Sequence, residues 1–322
     1  TYIPLLMVLE DLVRDGVDFR LTLSLTPTLS SMLLDPLLQH RYERRLRNLL
    51  DLAGKEIART QAKPALNRLA RMYHERLERI SNAYLHGYRK DLVRAFGKLQ
   101  ALGKVEIVAS AATHGYLPLL SINPAAVRAQ VRVGVDHHRR LFGQRPGGFW
   151  LPECAYFPGL DSFLEEQGIR HTILEAHGIT RACPRPVGGV YAPVYCPSGV
   201  AAFGRDPESS KQVWSSVEGY PGDYDYREFY RDIGYDLALN YIGPHVHRDG
   251  IRIDTGFKYY RVTGKGNQKA LYDPERAVEK AEMHAEDFVA NREAQIAHLG
   301  PLMDRKPVIV APFDAELLGH WW

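Results

Sequence analysis

Two acidic side chains in this sequence each follow a short apolar run, and together they could cleave a glycosidic bond. Glu153 lies in GGFWLPECAYFPG at positions 147–159, after a strand-like run that Pro152 interrupts. Asp314 follows the apolar run at 307–311 in the same way. Barrel enzymes carry their catalytic groups at such carboxyl ends of parallel strands. One carboxylate would attack the anomeric carbon, while the other donates and then recovers a proton. Taken alone, the first motif is equally well explained by a glutamate that caps the next helix.

Aromatic side chains accompany both carboxylates. Trp150 precedes Glu153, and Trp321 and Trp322 follow Asp314. Such rings offer flat, partly polar surfaces that can pack on sugar rings, although they could instead belong to the core. The sequence therefore favours a carbohydrate as the substrate.

Longer stretches around the two carboxylates resemble a known family. WLPECAYFPG at 150–159 and APFDAELLGHWW at 311–322 resemble the nucleophile and acid/base regions of glycoside hydrolase family 57, and more closely its 1,4-α-glucan branching enzymes. The resemblance continues through ASAATHGYLPLL at 109–120, QVWSSVEGYPGD at 212–223 and KYYRVTGK at 258–265. It implies that Glu153 is the nucleophile, that Asp314 is the acid/base, and that the fold is an incomplete (β/α)7 barrel.

The resemblance also implies an activity. A retaining enzyme would cut an α-1,4 bond of an α-glucan such as amylose or a glycogen-like polymer and re-attach the chain by an α-1,6 bond, as in glycogen biosynthesis, without a cofactor. An α-amylase or a 4-α-glucanotransferase of the family would use the same two carboxylates, and a non-catalytic glucan-binding domain is a further alternative. Family members carry an N-terminal His-x-His strand and a C-terminal helical domain that this chain does not show. We expect a longer chain to be more active and to favour transfer over hydrolysis.

Further polar and aromatic residues are candidate sugar contacts. His114 follows a predicted strand. Arg205 could bind a sugar or could keep a catalytic carboxylate ionised. Arg205 and Asp206 could also form no more than a surface salt bridge. Glu175 and His177 follow another predicted strand, where a place in the site and a helix-capping role are both open. The predicted substrate-binding residues are His114, Trp150, Arg205, Asp206, Trp214, Tyr235, His245, His247, Trp321 and Trp322.

A metal site is the main rival interpretation. His245 and His247 would point the same way on a strand and could bind one metal ion, with Asp249 or Asp314 as a third ligand. That arrangement would suit a metal-dependent polysaccharide deacetylase. No second ligand motif accompanies it in the sequence. We therefore expect no metal, and we expect the two Glu153 and Asp314 carboxyl groups to lie roughly 5 to 6 Å apart.

Composition narrows the class of protein. The 322 residues are 45% hydrophobic and 25% charged, which suits one large barrel domain over residues 1–322. The net charge of +3 comes from dispersed Lys and Arg residues, so no nucleic acid partner is expected. No apolar run has membrane-spanning length, so no membrane partner is expected either. Three cysteines without zinc-type spacing favour a reducing compartment, the cytoplasm.

Hydrophobic periodicity predicts the elements that position these residues. Strands are expected at 19–25, 105–110, 148–151, 169–174 and 307–311. Helices are expected at 2–13, 124–142, 161–167 and 274–299. A helical insertion should occupy 36–104, and long loops over the cleft should occupy 191–266.

Overall fold

A parallel sheet with helices around it forms the centre of the protein. The computed structural model describes residues 1–247, 249–264, 266 and 268–318. The strands are β1 (Leu21–Ser24), β2 (Val105–Ser110), β3 (Gly148–Trp150), β4 (His171–Leu174), β5 (Val194–Tyr195) and β6 (Ala201–Gly204). Their order across the sheet is β1, β2, β3, β4, β6, β5, and each neighbouring pair is parallel except β5 with β6. The predicted α/β class with a parallel sheet is therefore confirmed.

Helices connect these strands and extend beyond them. The bounds are α1 (Tyr2–Arg14), α2 (Pro27–Leu34), α3 (Pro36–Arg59), α4 (Pro64–Asn82), α5 (Leu92–Ala101), α6 (Leu117–Leu120), α7 (Pro124–Phe142), α8 (Leu160–Glu165), α9 (Ala176–Thr180), α10 (Pro207–Trp214), α11 (Ile233–Asp236), α12 (Leu239–Ile242) and α13 (Pro274–Leu299). A π-helical turn, Ala83–Gly87, continues α4. Helices α7 and α13 have the predicted bounds.

Local signals explain why α7 could be predicted so closely. The side chain of Asn123 accepts a hydrogen bond from the backbone N–H of Ala125, and Pro124 occupies the first helical position. At the other end, Gly143 has a φ of 70°, the left-handed conformation that ends many helices. Within the helix, a Cβ added to Gly134 would lie 2.0 Å from the Ser110 carbonyl oxygen. The glycine therefore lets α7 approach the carboxyl end of β2 closely.

The buried apolar side chains form three clusters. The first lies between the sheet and helices α7 and α8 and includes Phe149 and Leu151. The second joins α1 and α5 to β1 and β2. The third joins α3 and α4 to residues 233–259 and includes the buried Phe257. Within the insertion at 36–104, α5 packs with the sheet, whereas α3 and α4 contribute side chains to the second cluster and also support the long loops.

The segment predicted as a strand at 307–311 makes only an isolated bridge in the described structure. Val310 pairs in parallel with Arg205, directly after β6. Two features restrict the pairing: Pro307 and Pro312 have no backbone N–H to donate, and β5 already pairs with the first half of β6. The prediction was therefore right about the position and direction of the segment and wrong about its length.

Two further expectations concern the environment of the protein. All three cysteines are free thiols, with Cys154 buried and Cys183 exposed. No helix in the described part of the chain is both long and apolar enough to cross a membrane.

Candidate active site

Five polar side chains follow the parallel strands at one edge of the sheet. His114 follows β2, Glu153 follows β3, Glu175 follows β4 and Arg205 follows β6. Asp314 comes four residues after Val310, which bridges to Arg205. Because these segments leave the sheet at its carboxyl edge, the five side chains are brought to one end of the fold.

Glu153 is presented on a strained turn. It lies in the short 3-10 turn Pro152–Cys154 with a φ of 58°, and Cys154 has a φ of 53°. Non-glycine residues in this region cost about 1–3 kcal/mol each and persist only where the surroundings hold them. Leu151, fully buried, anchors the turn, and its carbonyl accepts a hydrogen bond from the Cys154 N–H. The Glu153 side chain is 71% exposed, so it can reach a substrate.

His114 lies beside the Glu153 carboxylate. Its Nε2 is 3.3 Å from Glu153 Oε1, and its own φ is 55°, again in the left-handed region. Gln130 on α7 fixes the preceding residue, because its side chain bonds both the N–H and the hydroxyl of Thr113. The Nδ1 of His114 is buried and has no hydrogen-bond partner within the described residues. The imidazole therefore offers Nε2, the nitrogen directed at Glu153, to the site, while Nδ1 is shielded from solvent.

Arg205 joins two loops of the site. One terminal nitrogen donates to Glu175 Oε2 at 3.2 Å, and the other donates to the Pro312 carbonyl at 3.0 Å. Glu175 also caps helix α9, since its Oε1 accepts a hydrogen bond from the Ala176 N–H. The helix-capping role left open for Glu175 is therefore observed, while its place in the site remains a prediction. Its pairing with Arg205 was not predictable, because the two residues lie on different strands.

Asp314 has the environment of an acid. Burial raises the pKa of its carboxyl group, and the negative charges of Glu316 and Glu153 raise it further. Arg205 and His114 act in the opposite direction without cancelling the shift. Burial raises the pKa of the nearby Cys154 thiol to about 11, and the charges that also act on it are those of Arg205, Glu175, Asp314 and Glu153. A carboxyl group with a raised pKa beside an exposed carboxylate is the pairing that glycosidases use.

The sequence model of glycosyl hydrolase family 57 matches residues 1–296. The chain belongs to glycosyl hydrolase family 57. A 1,4-α-glucan branching enzyme of Thermococcus kodakarensis is 34% identical over the whole chain, which covers 48% of that relative. Among solved structures, the α-amylase AmyC of Thermotoga maritima is 46% identical with a TM-score of 0.95, and the chain covers 62% of it. A family 57 branching enzyme of Pyrococcus horikoshii is 32% identical with a TM-score of 0.86, with 58% of it covered. The chain thus spans about half the length of the curated relative. The likeness to the solved family 57 structure confirms the predicted barrel fold class.

Asp206 does not line the site of this family 57 chain, which corrects its prediction as a sugar contact. Its side chain is fully buried. One carboxylate oxygen accepts from the Ser209 N–H at the start of α10 and lies 3.4 Å from Arg292, while the other accepts from Gln295. Because α10 and α13 use both oxygens, Asp206 holds these helices together and cannot reach a sugar.

The two histidines predicted as sugar contacts or metal ligands contact residues other than the five described above. They lie at and after the 3-10 turn Gly243–His245, not on a strand, so they do not share a face. His245 is buried against α3, where Asn48 and Lys55 contact its two ring nitrogens. His247 is half exposed and lies 3.2 Å from Asp249. Within the described ranges, no group of three or more His, Cys, Asp or Glu side chains is arranged to hold a metal ion.

The predicted aromatic contacts have different surroundings. Trp150 is partly buried at the end of β3, and its carbonyl accepts from the Ser110 hydroxyl. Trp214 ends helix α10, and Tyr235 lies half exposed on α11. Trp321 and Trp322 lie outside the described residues. The stacking roles of these side chains remain predictions.

Proposed function

We propose that the protein cleaves α-1,4 bonds of an α-glucan by a retaining, two-step mechanism. In the first step, a Glu153 carboxylate oxygen bonds to the anomeric carbon while the glycosidic C–O bond breaks, and Asp314 gives its proton to the departing oxygen. In the second step, Asp314 takes the proton of an acceptor hydroxyl, that oxygen bonds to the anomeric carbon, and Glu153 leaves. His114, next to Glu153, would bind a hydroxyl of the same sugar.

One observation carries this proposal: the two carboxyl groups have different environments at the same edge of the sheet. Glu153 is exposed on a strained turn, whereas burial and the Glu153 charge favour a proton on Asp314. A carboxyl group with a raised pKa near an exposed carboxylate supports Glu153 as the nucleophile and Asp314 as the acid/base.

We propose that the acceptor is a glucan hydroxyl, which makes the enzyme a 1,4-α-glucan branching enzyme. Support comes from the Thermococcus and Pyrococcus relatives, both of which are named as branching enzymes. An α-amylase, with water as the acceptor, is the second candidate, since the Thermotoga structure at 46% identity is named an α-amylase. The two activities differ only in the second step.

Products formed from amylose would separate the two candidates. The purified chain is incubated with amylose, new α-1,6 linkages are counted by proton NMR before and after a debranching enzyme, and reducing ends are counted in parallel. Branching predicts α-1,6 linkages with few new reducing ends, whereas hydrolysis predicts the reverse. If neither α-1,6 linkages nor new reducing ends form, the assignment to α-glucan cleavage is contradicted.

A glucan-binding domain without catalysis is tested by one substitution. Glu153→Gln should retain glucan binding while turnover falls by roughly 10³-fold or more, as for other catalytic nucleophiles. Glu166→Gln is the matched control, because Glu166 forms an exposed pair with Arg128 outside the site. Equal turnover in the parent and Glu153→Gln would remove Glu153 from the mechanism.

A further inference from the structure

Arg205 is placed to control the segment that carries Asp314. Its backbone N–H donates to the Leu174 carbonyl, and the next N–H, that of Asp206, donates to the Val310 carbonyl. The end of β6 therefore lies between the end of β4 and the Val310 segment. The Arg205 side chain extends this connection two residues further, to the Pro312 carbonyl at 3.0 Å. Asp314 follows two residues later.

Glu175 in turn orients Arg205. Its Oε2 accepts a hydrogen bond from one terminal guanidinium nitrogen at 3.2 Å, while the other terminal nitrogen donates to the Pro312 carbonyl. The arginine side chain is only 21% exposed, so a loss of either partner would leave a largely buried cation without full compensation. Since the guanidinium is planar, fixing one nitrogen on Glu175 also fixes the direction of the other.

We propose that Glu175 and Arg205 are positioning residues for the acid/base, with Glu175 orienting the guanidinium that holds the Pro312 carbonyl and thereby the place of Asp314. This inference rests on the proposed function, in which Asp314 exchanges a proton with the glycosidic oxygen and the acceptor. It adds a role for Glu175 and a different role for Arg205 from the sugar contact predicted from the sequence.

The charges around Asp314 give the pair a second effect. The groups that act on Asp314 are Glu316 on its own segment, Glu153 after β3, His114 after β2 and Arg205 after β6. Glu175 belongs to the same cluster, because the Cys154 thiol responds to Glu175 as well as to Arg205, Glu153 and Asp314. The negative charge of Glu175 lies beside the positive charge of Arg205, so we expect it to weaken the effect by which Arg205 lowers the pKa of Asp314.

Two substitutions separate charge from geometry. Glu175→Gln keeps an acceptor oxygen but removes the negative charge, so the pKa of Asp314 should fall. Because turnover requires protonated Asp314, the alkaline limb of kcat/KM should move to lower pH by roughly 0.3 to 1 unit. Arg205→Lys keeps the positive charge but cannot bridge two partners in a fixed plane. It should lower kcat by about 10 to 100-fold while the alkaline limb moves less than in Glu175→Gln.

Amide hydrogen exchange provides a readout that does not depend on turnover. Arg205→Lys should speed exchange at residues 308–314 at least several-fold, and exchange elsewhere in the sheet should change little. Glu166→Gln, which removes the charge of an exposed Glu–Arg pair, should change neither exchange nor the pH profile. Unchanged exchange at 308–314 in Arg205→Lys, or an alkaline limb that stays in place or moves to higher pH in Glu175→Gln, would overturn the proposal. A parent chain without glucan turnover would instead contradict the proposed function, and the exchange measurement would still decide the positioning role.

Discussion

A buried glutamate far from the catalytic sequence motifs should contribute strongly to stability. Glu56, on α3, has no exposed surface, and its carboxylate accepts four hydrogen bonds. Two come from Arg59 on the same helix, and one each comes from the hydroxyls of Tyr241 and Tyr259 in the long loop segment. The cluster therefore fastens the 233–260 segment to the helical insertion.

The expected cost of Glu56→Ala follows from what it leaves behind. Removing one partner of a buried ion pair typically costs 3–5 kcal/mol of unfolding free energy. Arg59 retains some access to water, since its side chain is 29% exposed, so we expect the low end of the range for the pair, about 3 kcal/mol. The Tyr259 hydroxyl, which is buried, adds roughly 1 kcal/mol when it loses its acceptor. Glu166→Ala, which breaks the exposed pair with Arg128, should cost less than about 1 kcal/mol.

The same cluster predicts a dependence on pH. Burial raises the pKa of Glu56, but hydrogen bonds from Arg59, Tyr241 and Tyr259 and the charge of Arg59 outweigh it, so the pKa in the folded protein lies below the ordinary 4.5. A carboxyl group with a lowered pKa stabilises the fold fully above its unfolded pKa and loses that contribution as pH falls through the folded value. The stability difference between the parent and Glu56→Gln should be constant from about pH 6 to 8 and shrink below about pH 4.5.

Urea unfolding followed by circular dichroism at several pH values measures both effects. The reasoning fails if Glu56→Ala lies within about 1 kcal/mol of Glu166→Ala at pH 7. It also fails if the difference between the parent and Glu56→Gln is undiminished near pH 3, because below the ordinary pKa the unfolded carboxyl group takes up a proton that the folded carboxylate resists, and this lowers the stability of the parent.

Other predictions concern the site and its supports. Asp314→Asn should abolish most turnover and the alkaline limb of kcat/KM, since an amide cannot donate and recover the proton. If the residual activity keeps a normal alkaline limb in a pH series, another group is responsible for that limb. Treatment with a strong chelator should leave glucan turnover unchanged, and a loss restored by zinc would favour the metal interpretation. Asp206→Ala should lower the unfolding free energy by roughly 3 kcal/mol, because it removes the cap of α10 and leaves the largely buried Arg292 without this partner. Thermal unfolding measures the loss, and Asp206→Asn, which keeps a capping oxygen, is the variant for comparison.

What the sequence could predict depended on how local each signal is. Helix α7 was predictable because Asn123, Pro124 and Gly143 determine its ends through contacts within a few residues. Glu153 and Asp314 stood out because each follows an apolar run and matches a family motif. The single bridge at Val310 was not predictable, since the neighbour that limits it, β5, pairs with β6 from elsewhere in the chain.

Long-range partners explain the sequence predictions that were wrong. The sequence around Asp206 is suited to sugar binding. The side chain is buried because it contacts Arg292 and Gln295 in α13, more than 80 residues away. His245 is likewise buried by Asn48 and Lys55, which lie in the helical insertion. No periodicity or spacing around these residues contains that information.

The most direct test of the two-carboxylate account is to trap the glycosyl-enzyme. Asp314→Ala is mixed with an α-maltosyl fluoride, whose fluoride leaves without protonation, so the first step proceeds while the second lacks its base. The account predicts that the intact protein gains one maltosyl group and that peptide mass spectrometry places it on Glu153, with Glu153→Gln/Asp314→Ala as the unlabelled control. Fluoride released over many turnovers without a labelled protein, or a label on any other residue, would contradict it.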